Sequence, residues 1–312
     1  MDMGNTIIKR TSVACCRAFA VVACALLPFM AASADEGELR RELRQLLSGY
    51  DAGVGVAVVA DCGDTVTVNN DRYYPLMSVV KLHQAIYVAH YLDSLGLSMD
   101  YEVYIAPGDL KPNTYSPLRD RYPQGGITMT VGELLLYTLQ QSDNNACDIM
   151  FARFGGPSAV DAYIRGLGFD DCAISVTEDD MHRDPALCHA NYSSPLEAAR
   201  LIGWLMSASG QHGNGSRNLQ FVRNALLGCR TGLQRIPDGL PPDAMVAHKT
   251  GTGDRDATGR WTAINDVAHI TLPGGCGYSL AVFVKDSGET FDVTEQIISS
   301  VSHAVASFMQ RQ

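Results

Sequence analysis

The sequence predicts an α/β fold in which one antiparallel sheet carries the terminal helices and is interrupted by an all-helical insertion. Two observations lead to this prediction. Segments with strand patterns occur near both ends of the chain, over 54–68 and 245–284, whereas helical runs dominate residues 76–230. We therefore expect the two ends to share one sheet. The cleft between the sheet and the insertion is then the first place to look for a functional site.

Residues 1–34, which precede the predicted fold, have the pattern of a secretory signal. Lys9 and Arg10 form a basic region, an apolar run extends over 18–32, and Ala32-Ser33-Ala34 provides a small-residue cleavage site. This apolar run is too short to span a bilayer comfortably. We therefore expect a cleaved signal and a periplasmic protein, with an uncleaved N-terminal anchor as the alternative.

Cleavage after Ala34 would remove three basic residues and one acidic residue, which changes the net charge from −10 to −12. Such an acidic chain gives no electrostatic reason to expect a nucleic-acid partner. A composition with 46% hydrophobic and 19% charged residues excludes a disordered chain and a polytopic membrane protein. Lipid anchoring at Cys24 is not expected, because Arg17 leaves almost no apolar stretch before it. We expect a monomer without stable membrane association.

The elements of the mature chain follow in a consistent order. Leucines at helical spacing predict a first helix over 36–47, and a final helix is predicted from about 292 to 309. The helical runs between them lie at 79–97, 131–139, 145–154, 195–207 and 218–227. The strand-like segments lie at 54–60, 65–68, 245–249, 267–272 and 278–284. These predict a five-stranded antiparallel sheet in a discontinuous α/β domain, 35–75 plus 232–312, around a helical domain over 76–231.

The first candidate motif is Ser78-Val79-Val80-Lys81, which opens a long apolar helix. Residues three apart lie on one helix face, so Lys81 can reach the Ser78 hydroxyl. A partly desolvated lysine near other cations can lose its proton and activate such a nucleophile. The helix N-terminus also favours negative charge that develops on Ser78. An N-cap serine beside a surface lysine is the alternative.

A second candidate motif, Ser142-Asp143-Asn144, lies between two helical runs. A hydroxyl and a carboxamide in such a position could relay a proton and hold the amide carbonyl of a ligand. The alternative is an ordinary helix N-cap, for which these three residue types are preferred. The motif alone leaves both interpretations open.

The third motif, Lys249-Thr250-Gly251, follows a strand-like segment and continues as Thr252-Gly253. An ammonium group beside a hydroxyl on an edge strand could anchor a carboxylate, and the glycines would let a ligand approach the backbone. A simple β-bend is the alternative. A similar tripeptide, Arg230-Thr231-Gly232, is discounted because the segment after it lacks strand character.

Together, and in this order, the three motifs resemble the pattern of the serine β-lactamase and penicillin-binding protein superfamily. The resemblance covers essentially the whole mature chain. It implies that Ser78 attacks a lactam carbonyl and that Lys81, or a glutamate acting through a water, removes its proton. It implies an oxyanion hole formed by the backbone N–H groups of Ser78 and Thr252. It further implies a proton relay at Ser142, an amide ligand at Asn144 and a substrate-binding segment formed by Lys249, Thr250 and Gly251.

A fourth segment favours the class A β-lactamases within this superfamily. Residues 177–182, Thr-Glu-Asp-Asp-Met-His, precede an irregular stretch and resemble the Ω loop of that class, here about 176–191. The resemblance implies that Glu178 is the base that activates water for deacylation. An exposed acid within an acidic cluster is the alternative.

The Ω-loop segment departs from most class A sequences at two points. His182 stands where they carry an asparagine that helps to position the water. Val176 and Asn191 occupy the positions of the arginine–aspartate pair that usually closes the neck of the loop, and they cannot form such a pair. Glu-x-x-Met-His and Asn191-Tyr192 resemble the class A branch that includes several extended-spectrum cephalosporinases.

Three further assignments also depend on the resemblance and the fold it implies. Tyr115 resembles the aromatic residue at the rim of the cleft, and Arg235 resembles an arginine that adds positive charge near the carboxylate site. Both could equally be surface or structural residues. Cys62 and Cys276 could form a disulfide if their two turns lie at the same end of the sheet.

The prediction is therefore a class A serine β-lactamase that hydrolyses penicillins and cephalosporins. It requires no cofactor, and the histidines lack the spacing of a zinc site. The first alternative is a penicillin-binding D-Ala-D-Ala peptidase or transpeptidase, and the second is a catalytically silent sensor domain. Glu178 discriminates between a β-lactamase and a penicillin-binding enzyme, because a β-lactam would trap an enzyme that lacks a deacylation base.

Overall fold

The structure is a computed structural model that describes residues 1, 37–71, 73–207, 216–275 and 277–311. Apart from Met1, the predicted signal over 1–34 lies outside these residues, as does Cys276. The strands are β1 (Gly53–Ala60), β2 (Thr65–Val68), β3 (Tyr74–Pro75), β4 (Glu102–Ile105), β5 (Ile127–Thr130), β6 (Cys172–Ala173), β7 (Tyr192–Ser193), β8 (Met245–Thr252), β9 (Trp261–Thr271) and β10 (Gly277–Ser287).

The helices precede, interrupt and follow the main sheet. They are α1 (37–47), α2 (Val80–Ser94), α3 (Pro117–Arg121), α4 (Val131–Gln140), α5 (Asn144–Arg153), α6 (Gly156–Gly166), α7 (Glu178–Arg183), α8 (Pro195–Met206), α9 (Arg217–Leu227) and α10 (Phe291–Met309). None of the helices in the described ranges could serve as a membrane span, because each is too short or too polar.

The main sheet is antiparallel and has the strand order β2-β1-β10-β9-β8. Its two ends come from distant parts of the chain, since Val56 on β1 pairs with Val282 on β10. The prediction of a five-stranded antiparallel sheet built from both ends of the chain is confirmed. Within the described residues, strand β8 pairs with β9 alone and forms one edge of the sheet.

Two apolar cores cover the two faces of the main sheet. On one face, Leu39 of α1 and Val301 of α10 pack with sheet residues such as Val56. On the other face, the helical region packs against Ala57 and Phe283. Burial on both faces explains why β1 and the stretch 280–284 of β10 are continuously apolar and do not alternate with polar residues.

Helix α2 lies at the centre of the helical region and is buried on nearly all sides. Its buried residues include Leu82, Ile86 and Leu92, and also the polar side chains of Lys81 and Gln84. A helix without an exposed polar face is typical of a core position. The fold therefore places the beginning of α2 in the interior, close to the edge strand β8.

The structure also contains two small sheets that the sequence analysis did not predict, β3-β7-β6 and β4-β5. Their strands have two to four residues. The two-residue strands are too short to show a period, and β4 and β5 lie among helical runs without a turn signal that would mark them as a hairpin. The sheet β3-β7-β6 holds Asn191 beside the chain that leads to Ser78, because Pro75 pairs with Tyr192.

Candidate active site

Ser78 lies in a short 3-10 turn that leads directly into α2. The residue before it, Met77, has a φ of +48°, a left-handed conformation that costs about 1–3 kcal/mol for a residue with a side chain. Two contacts hold the turn: the Leu76 N–H donates to the Asn191 carbonyl at 2.9 Å, and Asn265 Nδ2 donates to the Pro75 carbonyl at 2.7 Å. The strained turn is therefore fixed from two sides.

Lys81 is fully buried and its ammonium group lies at the centre of the candidate site. Its Nζ contacts Ser78 Oγ at 2.7 Å, Glu178 Oε1 at 2.7 Å, Asn144 Oδ1 at 2.6 Å and the Ser142 carbonyl at 3.0 Å. An ammonium has three hydrogens for these four acceptors, so the contacts compete. Ser78 Oγ also lies 3.3 Å from Glu178 Oε1. Proton transfer among the three groups therefore requires no large movement.

Glu178 is the first residue of α7 and is 8% exposed. Thr177 caps this helix, with its hydroxyl accepting from the Asp180 N–H and the Asp180 carboxylate accepting in return. The carboxylate of Asp148 accepts from the backbone N–H groups of Glu178 at 2.9 Å and Asp179 at 2.8 Å. These bonds hold the start of α7 against α5.

The sequence analysis missed Asp148. It stands four residues after Asn144 on α5, and residues at this spacing lie on the same face of a helix. The spacing could therefore have indicated that Asp148 faces the same region as Asn144. It could not have indicated that the carboxylate binds the N-terminus of α7.

Burial and the negative charge of Glu178 raise the pKa of Asp148 to about 7, from 3.8 in the unfolded chain. Between about pH 4 and 7 the folded state holds a proton that the unfolded state has lost, so stability falls as pH rises through this window. We expect the free energy of unfolding of the protein, relative to that of Asp148→Asn, to be larger at pH 5 than at pH 8. Urea titrations at both pH values measure this difference, and an equal difference at both would contradict the prediction.

The motif at 142–144 combines both of the interpretations left open above. Asp143 is the N-cap of α5 and accepts from the Ala146 N–H at 2.8 Å, and it also binds Ser116 and the Leu118 N–H. Its neighbours face the site: Ser142, with a φ of +58°, accepts from Lys249 Nζ at 3.0 Å, whereas Asn144 contacts Lys81. One residue therefore anchors the loop while two present functional groups.

Lys249 is fully buried on the edge strand β8. Its Nζ donates to Ser142 Oγ and to the Thr250 carbonyl at 2.8 Å. Burial, and then the positive charge of Lys81, lower the pKa of Lys249 to about 7. The positive charges of Lys81 and Lys249 repel each other in this buried site. An anion that binds near both reduces this repulsion, so the site attracts anions strongly.

The glycines of the third motif have a packing role that the sequence did not reveal. A Cβ atom on Gly251 would lie 2.5 Å from the Leu76 carbonyl oxygen, and one on Gly253 would lie 2.5 Å from Met77 Cε. These glycines let β8 approach the turn that carries Ser78. The expectation that they admit a ligand is therefore incomplete, because the nearest atoms belong to the protein.

A cavity of about 480 Å³ lies between the helical region and β8. It is lined on one side by Ser78, Asn144, Glu178 and His182, and on the other by Thr252. Thr252 and His182 are exposed. Their placement agrees with a cleft between the sheet and the helical insertion.

Tyr115 and Arg235 are placed very differently. Tyr115 is 59% exposed, whereas Arg235 is 2% exposed. The Arg235 guanidinium pairs with Glu295 Oε1 at 2.9 Å, donates to the carbonyls of Gly251 and Asn265, and donates to Thr252 Oγ1 at 2.7 Å. The positive charge of Arg235 is therefore balanced by Glu295, and Arg235 contacts the cleft through its hydrogen bond to the Thr252 hydroxyl.

The neck of the Ω loop is closed by a carboxamide in this protein. Asn191 is fully buried, and its Oδ1 accepts from the N–H groups of Ser175 at 2.7 Å and Val176 at 3.1 Å. Its Nδ2 donates to the Val176 carbonyl at 2.9 Å. Val176 and Asn191 cannot form the ion pair described above. Hydrogen bonds from the Asn191 side chain to the Val176 backbone connect the two positions instead.

None of the five described cysteines, Cys62, Cys147, Cys172, Cys188 and Cys229, is bonded to another described cysteine. The turn that contains Cys62 does lie beside the turn before β10, since the Asp61 N–H donates to the Gly277 carbonyl at 3.0 Å. Because Cys276 lies outside the described residues, its disulfide with Cys62 stays a prediction. The described ranges contain no group of three or more His, Cys, Asp or Glu side chains that could hold a metal ion.

Known proteins are similar to this chain in sequence and in fold. The chain matches the beta-lactamase enzyme family over residues 38–309. A β-lactamase of Bacteroides uniformis is 38% identical over 274 residues, which cover 88% of this chain and 92% of that protein. The extended-spectrum β-lactamase PER-1 of Pseudomonas aeruginosa is 33% identical, over 88% of this chain and 89% of that protein.

The same relationship holds for solved structures. The crystal structure of a representative class A β-lactamase from Bacteroides cellulosilyticus superposes with a TM-score of 0.84 at 35% identity, and the match covers 89% of this chain and 99% of that chain. The match over residues 38–309 spans both ends of the main sheet and the helical region between them. This chain therefore belongs to the beta-lactamase enzyme family, and within it to the class A serine enzymes.

Proposed function

We propose that this protein hydrolyses β-lactam antibiotics through a serine acyl-enzyme and thereby confers resistance to them. The observation that carries this proposal is the position of Glu178, whose Oε1 lies 3.3 Å from Ser78 Oγ and 2.7 Å from Lys81 Nζ. The site therefore combines a nucleophile with two groups that can take up protons. Penicillins and cephalosporins are the proposed substrates.

Acylation begins when Ser78 Oγ attacks the lactam carbonyl. Its proton passes to the neutral Lys81 amine, formed once the ammonium has given a proton to the Glu178 carboxylate, or through a water directly to the Glu178 carboxylate. The negative charge that develops on the carbonyl oxygen is stabilised by the backbone N–H groups of Ser78 and Thr252. Ser142 then delivers a proton to the lactam nitrogen as its bond to carbon breaks. The 3.0 Å contact from Lys249 to Ser142 Oγ supports this relay, because it connects the hydroxyl to the buried lysines.

The remaining residues orient the substrate. We assign the carboxylate of the β-lactam to Lys249, Thr250 and Gly251, where a buried ammonium group provides the charge. Asn144 Nδ2, which donates to Thr114 Oγ1 at 2.8 Å, is placed to turn toward a substrate amide. Tyr115 at the rim, and His182 next to the Ω-loop water, complete the proposed contacts.

Deacylation separates this function from the alternatives. Glu178 would remove a proton from a water that attacks the ester carbonyl, and the Ser78–acyl bond would then break with the proton returned to Ser78. A penicillin-binding peptidase lacks such a base, and a silent sensor requires neither Glu178 nor the Lys81 contacts to Ser78. The observed cluster therefore favours hydrolysis over both alternatives.

Turnover of nitrocefin by the purified protein tests the proposal. We expect many molecules of the chromogenic cephalosporin to be hydrolysed per protein molecule, with penicillins hydrolysed in parallel. Intact-mass spectrometry follows the acyl adduct in the same samples. A stoichiometric adduct without turnover would contradict hydrolysis and indicate a penicillin-binding protein, whereas the absence of an adduct and of turnover would indicate a silent domain.

We further propose that residues 1–34 direct export to the periplasm, that the mature protein is a monomer, and that the chain divides at 75/76 and 231/232. A disulfide between Cys62 and Cys276 would stabilise the mature enzyme by roughly 2–4 kcal/mol. N-terminal sequencing of the exported protein, gel filtration and non-reducing peptide mapping test these proposals in turn. Free thiols at both cysteines in the mapped protein would dismiss the disulfide.

A further inference from the structure

A chain of polar side chains runs behind the edge strand and ends at Thr250. The Cys229 Sγ atom lies 3.5 Å from Thr231 Oγ1, and Thr231 Oγ1 lies 2.6 Å from Thr250 Oγ1. A Cβ atom on Gly232 would lie 2.6 Å from Thr250 Cγ2, so this turn packs tightly against β8. Thr231 and Gly232 belong to the tripeptide that the sequence analysis discounted.

We propose that Cys229 and Thr231 are positioning residues that set the direction in which the Thr250 hydroxyl donates its hydrogen bond. This inference rests on the proposed function, in which Thr250 binds the carboxylate of the β-lactam. Neither Cys229 nor Thr231 contacts the substrate in this arrangement. They act through Thr250.

The direction of the hydrogen bonds from Cys229 to Thr250 follows from the number of hydrogens that each group carries. A thiol at Cys229 can donate to Thr231, whose hydroxyl then donates to Thr250 and leaves the Thr250 hydrogen free for a carboxylate. A thiolate at Cys229 can only accept, so the Thr231 hydroxyl turns toward sulfur and its oxygen accepts from Thr250. In the second arrangement the Thr250 hydrogen is used within the protein and the substrate carboxylate loses a donor.

The surroundings of Cys229 allow it to change its protonation state. Cys229 is 8% exposed, and burial alone would raise the pKa of its thiol, but the hydrogen bond and positive charge of His248 lower that pKa to about 7. His248 is held by Asp266, with Nδ1 and Oδ1 separated by 3.1 Å, and Asp266 together with Cys229 raises the pKa of His248 to about 10 against the effect of burial. His248 and Cys229 are therefore coupled: the positive charge of His248 favours the thiolate, and the thiolate favours the charged His248.

Other charged groups lie near these hydrogen-bonded side chains, and their influence on substrate binding must be separated from that of Cys229. The titratable and charged groups that face Cys229 or its partners are His248 and Lys249 on β8, Asp266 on β9, the Arg235–Glu295 ion pair, and Lys81 and Glu178 across the cleft. Lys249 titrates in the same range, since its pKa is also about 7. A thiolate at Cys229 raises the pKa of Lys249, so removing the thiolate makes Lys249 lose its proton more easily.

Two variants at Thr231 test the hydrogen bonds between Cys229 and Thr250 at pH 6, where Cys229 and Lys249 are mostly protonated. Thr231→Val removes the group that donates to the Thr250 oxygen and leaves the Thr250 hydroxyl free to rotate. We expect KM for a carboxylate-bearing cephalosporin to rise by roughly 2- to 10-fold, as for one lost hydrogen bond between neutral groups, with kcat changed little. Thr231→Ser keeps the hydroxyl and should restore KM. The neutral ester of the same cephalosporin is the control substrate, and its KM should be the same in all three proteins.

A variant at Cys229 tests the control by protonation. In Cys229→Ser the hydroxyl stays protonated, so we expect the ratio of KM for the parent to KM for the variant to increase from pH 6 to pH 8.5. The easier deprotonation of Lys249 in this variant would change the ratio in the opposite direction, so an increase identifies the relay. A constant or falling ratio, or an unchanged KM in Thr231→Val, would overturn the proposal.

The proposed function and this inference can fail separately. If the parent is acylated without turnover, hydrolysis is refuted, while the second-order acylation rates of the same variants still test the relay through carboxylate binding. If β-lactams neither acylate the parent nor are hydrolysed by it, Thr250 has no such ligand and both are refuted.

Discussion

Glu178→Gln is expected to give a protein that β-lactams acylate but that releases the product about 10²–10⁴ times more slowly than the parent. Glutamine keeps the size of the side chain but cannot take a proton from water. Acylation should slow less, because Lys81 Nζ lies 2.7 Å from Ser78 Oγ and is nearer to it than Glu178 Oε1, at 3.3 Å. The acyl-enzyme therefore accumulates, and intact-mass spectrometry after mixing with a penicillin measures its lifetime.

Asp179→Asn is the matched control for Glu178→Gln. Asp179 is the next residue of the same helix, its carboxylate pairs with Arg183 at 3.1 Å, and its backbone N–H bond to Asp148 does not depend on its side chain. We expect turnover close to that of the parent. Deacylation of Glu178→Gln at the parent rate would show that another group activates the water and that the Ω-loop assignment is wrong.

Lys81→Met is expected to lower the second-order rate constant for acylation by about 10²–10⁴. Methionine has a similar shape but cannot accept the proton of Ser78 or bind the Asn144 and Ser142 oxygens. The change also removes the positive charge that lowers the pKa of Lys249, so that pKa should rise above about 7. Stopped-flow acylation with nitrocefin, measured from pH 6 to pH 9, detects both effects.

Lys285→Met provides the corresponding control for a lysine with a partner at the surface. Lys285 pairs with Asp71 at 3.2 Å, and the Asp71 side chain is half exposed. Exposed pairs of this kind contribute about 0–1 kcal/mol to stability. We expect acylation to be unchanged. Acylation of Lys81→Met at the parent rate, in a folded protein by circular dichroism, would exclude Lys81 as the group that removes the Ser78 proton.

Lys81→Met and Glu178→Gln together identify the base for acylation. The sequence left this role open between Lys81 and Glu178. A large loss of acylation in Lys81→Met and a small one in Glu178→Gln would assign the step to lysine. The opposite result would assign it to glutamate acting through water. Both groups contact Ser78 Oγ: the Lys81 ammonium donates to it at 2.7 Å, and the hydroxyl donates to Glu178 Oε1 at 3.3 Å.

Periodicity was sufficient to predict the main elements of the fold. Long apolar strands such as β1 and β10, and long helices such as α10, carry clear patterns, because burial on one or two faces constrains many positions at once. The small sheets β3-β7-β6 and β4-β5 carry too few residues for such a pattern. Their existence depends on contacts between segments that are distant in the sequence, as between Tyr74 and Ser193.

Motif spacing likewise predicted which residues gather around Ser78, but not what supports them. Asp148 and Asn265 hold α7 and the nucleophile turn through bonds to backbone atoms, and such bonds leave no motif in the sequence. Thr231 was discounted on local grounds, since the segment after it is not a strand. Its contact with Thr250 is tertiary and could be seen only in the folded chain.

The pairing of β1 with β10 determines when this protein can complete its fold. Gly53 lies opposite Lys285, so the central strands meet only after nearly the whole chain has been synthesised. The local contacts of the helical region can form earlier, whereas the sheet requires closure of a very long loop, a feature of slow folding. Strand β2 can pair early with one edge of β1, but the other edge of β1 stays exposed until β10 is available. Substitutions that leave the active site untouched but lengthen this wait should reduce the yield of active protein through aggregation, without changing the activity of each folded molecule.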